Sequence, residues 1–191
     1  MSTLSTTNLK NPSSGSNNIV LAADGSITVS ALQGGITSAT AVASTSGTSI
    51  DFTSIPSWVK RVTVMFGDVS TDGSDYLLVR LGTASGIEAS AVYYSMTGAN
   101  TTSSAASAVN YTTGFGIQSG SAGNALIGQY IISNITGNTW ITSGTFAGNT
   151  SACIFAVGRV GLSGALTQLR VTSTGGTDTF DAGSINILYE G

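Results

Sequence analysis

The densest group of chemically capable side chains in this sequence is DVSTDGSD, residues 68–75, which holds three of its nine carboxylates. Asp68, Ser70, Asp72 and Gly73 match the first half of a calcium-loop pattern, in which oxygen ligands recur at every second position and a glycine permits the sharp turn; Asp75 follows. The closing bidentate glutamate of that pattern is missing, since Val79 stands at the twelfth position, and the flanks read as strands instead of helices. The plain alternative is a polar loop in which the aspartates support the backbone. No metal and no cofactor are expected, with Asp68, Asp72 and Asp75 as the only calcium candidates.

The chain contains no histidine. That removes the usual general base, the commonest metal ligand and every Ser-His or Cys-His nucleophile pair. A glycosidase needs only two carboxylates, but Asp51, Asp68, Asp72, Asp75, Glu88, Asp178 and Asp181 lie nearly all in turn contexts. There is no phosphate-cradling loop with a lysine and no paired cysteine for zinc. The single cysteine, Cys153, sits in the apolar run ACIFAV and reads as a buried small hydrophobe. The expectation is a protein that is not an enzyme.

Aromatic residues offer a second chemistry. Trp58, Trp140, Tyr93 and Tyr94, with Tyr111, are the candidates for a platform on which sugar rings stack. Packing in a core or a subunit interface is the commoner use of such rings, and nothing clusters these in the sequence.

The elements that would position these residues are strands. In residues 59–66, Val62, Val64 and Phe66 alternate with Arg61 and Thr63, and in residues 77–81 Leu77, Val79 and Leu81 alternate with Arg80. Side chains of an extended chain alternate faces, so each run is half buried, and the two read as a strand and its antiparallel return. Similar runs occupy residues 86–96, 108–117, 125–133, 139–146, 151–160, 166–172 and 184–189, separated by turn residues. Late in the chain, Leu169 and Val171 flank Arg170, and Ile185, Ile187 and Tyr189 share one face. No segment holds helical spacing and no fixed repeat is present. The fold class is therefore all-β, an antiparallel β-sandwich or jelly roll.

Composition agrees. Charged residues make up 8% of the 191-residue chain against a usual quarter, and glycine numbers 25, as in a turn-rich protein whose solvated faces carry hydroxyls. A net charge of −3 with six scattered lysines and arginines excludes a basic track for nucleic acid. No window approaches a membrane-spanning length of apolar residues, so no membrane insertion is expected. The first residues lack the basic and apolar regions of a signal peptide, which predicts synthesis in a cytoplasm.

Residues 1–18 are polar and predict an extended arm. In NIVLAADGSITVS, two short apolar runs, residues 19–21 and 27–29, flank Asp24-Gly25, a dipeptide that accepts positive φ in a tight hairpin. The predicted organisation is an attachment arm with a small hairpin over residues 1–34, a linker or thin edge layer over 35–48, and a sandwich domain over 49–191. Weakly charged faces rich in small residues predict packing against further copies.

The leader STLSTTNLKNPSSGSNNIVLAADGS, residues 2–26, resembles one found ahead of differing C-terminal domains in fibre and surface proteins of tailed bacteriophages, particularly marine and cyanobacterial ones. SIDFTSIPSWVKRVTVMFGDVS and the closing FDAGSINILYEG resemble the sheet-forming ends of phage receptor-side β-sandwiches. The resemblance implies a virion structural protein assembled in the host cytoplasm, its arm bound to other virion proteins and its sandwich displayed outward, usually as a homotrimer. A short tail fibre, a head fibre and a capsid decoration protein all fit, since no extended shaft separates leader from sandwich. The alternative function is a carbohydrate-binding or adhesin module recognising a host surface glycan.

Overall fold

The computed structural model describes residues 8–9, 12–13, 19–25, 27–29, 35–89, 92–101, 107–149 and 152–191, and it divides the chain into two compact units, Met1–Gly35 and Ile36–Gly191. Most of the expected N-terminal arm lies outside the described residues. In the first unit, strands β1 (Asn8–Leu9), β2 (Ile19–Leu21) and β3 (Ile27–Val29) form a three-stranded antiparallel sheet. β2 and β3 are the hairpin expected from Asp24-Gly25: Gly25 adopts φ +84°, and its N–H donates to the Ala22 carbonyl at 3.1 Å.

Among its described residues, the regular structure of the second unit is all strand. In chain order they are β4 (Thr37–Ser38), β5 (Val42–Ala43), β6 (Ser49–Phe52), β7 (Arg61–Thr71), β8 (Leu77–Thr83), β9 (Gly86–Ile87), β10 (Tyr93–Thr101), β11 (Ser107–Tyr111), β12 (Phe115–Ile117), β13 (Leu126–Thr136), β14 (Thr139–Gly148), β15 (Ala152–Gly161), β16 (Gln168–Ser173) and β17 (Phe180–Glu190). They make two antiparallel sheets. The larger runs β11-β10-β15-β14-β13-β7-β17-β4, with β5 also on β17; the smaller runs β12-β8-β16-β6, with β9 on β8.

The pairings identify the jelly roll. β4 and β5 pair with β17, β6 with β16, β7 with β13 and β8 with β12, so the first half of the chain pairs with the second in nested order while successive strands alternate between sheets. Two insertions, β10-β11 and β14-β15, both join the larger sheet beyond β13. They make it far wider than the sheet that covers it.

Two expectations change. β8 is not the antiparallel return of β7: the strands lie in different sheets, and the loop between them crosses the sandwich. Alternation reveals which face of a strand is buried but not which strand lies beside it, and here each finds its partners far along the chain. Residues 35–48 supply β4 and β5 at the edge of the larger sheet, which is the edge layer of the two alternatives expected for them, but the unit they belong to begins at Ile36 instead of at 49.

One core fills the space between the sheets, and it includes the alternating residues named above: Val62, Val64 and Phe66 from β7, Leu77, Val79 and Leu81 from β8, Leu169 and Val171 from β16. An unbroken run of rings crosses it, Tyr93 to Phe115 (5.1 Å between centroids), Phe115 to Tyr130 (6.2 Å), Tyr130 to Phe146 (5.0 Å) and Phe146 to Phe66 (5.5 Å). Gly144 and Gly158 occupy inward positions of β14 and β15 beside these rings; a Cβ on either would come within 2.6 Å of Tyr130 or Phe115 respectively. The rings also stitch the sheets together through polar groups. The Tyr93 hydroxyl accepts the Leu81 N–H at 2.7 Å, the Tyr130 hydroxyl donates to the Gly116 carbonyl, and the Gly116 N–H donates to Ser95 Oγ at 3.3 Å. Burial pushes both phenols well above the ordinary tyrosine range.

Candidate interaction surface

The acidic loop is held by backbone amides. Asp72 accepts the Thr179 N–H at 2.7 Å, Asp75 the Gly175 N–H at 2.8 Å, and Asp178 the Asp75 N–H at 2.8 Å. The Asp178 carboxylate also lies against Gly73, where even a Cβ would come within 2.1 Å of it. Asp68 stands apart on β7 with φ 55°, at the irregularity where β7 and β17 shift register. Asp68, Asp72 and Asp75 thus do not form a joint calcium site, and among the described residues no three His, Cys, Asp or Glu side chains could hold a metal ion. The loop ties the turn after β7 to the turn before β17.

The candidate sugar platform is divided between surface and core. Trp140 and Tyr93 are each 3% exposed and belong to the core, whereas Tyr94 points the other way and is 64% exposed. Trp58 is half buried against Tyr189, with centroids 5.9 Å apart, and acts as a lid at the entry to β7. Tyr111 is buried edge-on to Tyr76 at 6.2 Å. The four candidates share no surface on which one sugar could stack. Adjacent residues of a strand face opposite sides, so Tyr93 and Tyr94 could never have served together.

The largest chemically distinctive surface was not anticipated from the sequence. On the outer face of the larger sheet, away from the core, the exposed residues include Ile127, Ile131 and Ile135 on β13, Ile141 on β14, Phe155 and Val157 on β15, and Tyr94 and Met96 on β10. Cys153 is exposed on the same face, which corrects its expected burial: the register of β15 turns Ile154 and Ala156 inward and Cys153, Phe155 and Val157 outward. The face is open because the smaller sheet packs on the opposite, inner side and no described strand of the Ile36–Gly191 unit lies over the outer one.

Register arranges the face in rows across the strands. One row reads Thr63, Ile131, Ser143, Val157, Met96 and Asn110; the next reads Met65, Gln129, Thr145, Phe155, Gly98 and Ala108. Neither contains a charge. Phe155 and Val157, 52% and 57% exposed, form a ridge along β15. A concavity lies on each side of it, one lined by Gln129, Ile131, Ser143 and Thr145, the other by Met96, Gly98 and Ala108. Charged side chains stand at the ends: Arg61 and Arg159 in one terminal row, with Arg61 paired to Glu190, and Asp68 toward the other.

Soluble monomers rarely expose a contiguous apolar patch of more than a few hundred Å². Among the described residues this surface brings together apolar and hydroxyl side chains and no arrangement of nucleophile, base or metal ligands. Comparison with protein-family models, with curated proteins and with solved structures returns no match.

Proposed function

We propose that this chain is a structural protein of a tailed-phage virion, working by association and not by catalysis. The observation that carries the reading is the broad, uncharged outer face of the larger sheet, which no part of the Ile36–Gly191 unit covers among the described residues. The resemblance of residues 2–26 to phage leaders supports the virion as the setting. A first unit whose described residues form three short strands, followed by a large jelly roll, fits an attachment segment carrying a displayed module. Association with other copies and with other virion proteins is the activity; head and tail positions both fit it.

The test is incorporation into particles. The chain is expected in purified virions, and a version beginning at Ile36 is expected to keep a cooperative melt yet be missing from them. Normal occupancy by the truncated chain would refute the attachment role of the first unit. Absence of the full chain from purified particles would refute the virion reading itself.

A further inference from the structure

We infer that the outer face of the larger sheet is occupied by the same face of a second copy, the two packed about a two-fold axis that runs along the strands between β14 and β15. The inference rests on the reading of the chain as an associating structural protein and names its partner at that surface.

Size is the first argument. Four neighbouring strands that this axis lays over one another, β13, β14, β15 and β10, are 9 to 11 residues long. At about 3.4 Å per residue and about 4.8 Å between strands, they present roughly 650 Å² per copy, or about 1,300 Å² for the pair, within the range of a standard stable interface. Two faces of this kind stack about 10 Å apart as aligned sheets.

Relief is the second, and it selects this axis. A two-fold between β14 and β15 lays β15 of one copy over β14 of the other, and β10 over β13, without moving residues out of their rows. Phe155 then meets Thr145, Val157 meets Ser143, and Gln129 meets Gly98. Phe155, Val157 and Gln129 of one copy thus face smaller residues of its partner, Ile131 meets Met96 to one side, and the ridge on β15 enters the concavity above β14. Because the contact is isologous, every such match occurs twice. An axis running across the strands would instead set ridge on ridge. Arg61 and Arg159 lie in one terminal row and Asp68 toward the other end of the strands, in the rim where charged groups remain solvated.

Cys153, the chain's one cysteine, gives a direct readout. In this packing two Cys153 residues are offset by one strand spacing across a sheet–sheet gap, which places their Cα atoms roughly 11 Å apart. The full chain is expected to sediment at twice its 19.1 kDa mass and to be joined into dimers by a short bis-maleimide. Phe155→Asp on the ridge and Ser143→Trp in the facing concavity change exposed side chains. Each should raise the dimer dissociation constant by roughly 30-fold or more, the effect of losing a central contact worth about 2 kcal/mol. Both should abolish the cross-link while leaving the monomer's circular dichroism unchanged.

A monomer at every concentration, a trimer, or a dimer that survives both variants would overturn the inference. So would a monomer that binds phosphatidylcholine vesicles, which would assign the face to lipid. Failure of the virion reading is separate: the chain would then form this dimer in solution and be missing from particles.

Discussion

Tyr93→Phe isolates the value of one polar stitch between the sheets. Tyr93 is buried on β10, and its ring packs edge-on to Phe115 with centroids 5.1 Å apart. Phenylalanine keeps that contact and removes only the hydroxyl. The Leu81 N–H, which donates to that hydroxyl at 2.7 Å, then loses its partner, whereas the Leu81 carbonyl, to which the hydroxyl donates at 3.3 Å, keeps the Glu88 N–H at 2.9 Å. A buried donor left unpaired costs about 1–3 kcal/mol. In a domain of this size each kcal/mol lowers Tm by about 2–4 °C, so the variant should melt roughly 2–12 °C below the wild type. Tyr94→Phe is the control: one residue along, exposed, on the opposite face, it should stay within about 0.5 kcal/mol of wild type. Differential scanning calorimetry or urea titration of both variants decides the matter. Equal stability of Tyr93→Phe and wild type would show that the Leu81 amide is not dependent on the phenol and that the sheets are held by apolar packing alone.

The remaining predictions concern titration and the acidic loop. Tyr93 and Tyr130 keep their protons in the folded state at pH values where the unfolded chain releases them, so the native state binds more protons above the unfolded tyrosine pKa of about 10. Stability should therefore be level below that pH with respect to these groups and fall above it, by about 1.4 kcal/mol per pH unit for each tyrosine. Urea midpoints measured from pH 8 to 11 should show the decline, and a flat profile would refute the burial of both hydroxyls. Asp178→Ala removes the acceptor for the Asp75 amide and should lower stability by about 1 kcal/mol. Chelator should leave the wild-type Tm unchanged; a calcium-dependent rise of several degrees would refute the turn-supporting role of Asp72, Asp75 and Asp178, since a ligand bound only by the native state stabilises it by mass action.

What could be read from the sequence was whatever depends on local alternation. Val62, Val64 and Phe66 turned inward because one register of a strand buries all of them at once, and the hairpin was legible because its turn, closed by the Gly25 N–H on the Ala22 carbonyl between Leu21 and Ile27, needs a residue at positive φ that glycine supplies. Strands over residues 125–133, 139–146 and 151–160 appear as β13, β14 and β15. Two of the longer runs did not stay whole: residues 86–96 divide between β9 and β10, and 108–117 between β11 and β12, as the chain passes from one sheet to the other. Partnership was not legible for the same reason. β7 pairs with strands beginning at Leu126 and Phe180, and nothing within β7 names either.

The interaction face shows why a site can be missed even when every strand that builds it is found. In β15 the run Cys153-Ile154-Phe155-Ala156-Val157 is apolar at every position, and a continuous apolar run is the signature of a strand buried on both faces. Its inner residues, Ile154 and Ala156, are buried in the core between the sheets; its outer residues meet solvent because the smaller sheet packs only on the inner face and no described strand of the Ile36–Gly191 unit lies over the outer one. The sequence signal for a doubly covered strand is thus present while the second cover is missing from the described residues of the Ile36–Gly191 unit. Taken with the absence of charge along the two middle rows, that mismatch between pattern and exposure is what the proposed dimer would resolve: the run in β15 has the composition of a strand covered on both sides, and the second copy would supply the outer cover.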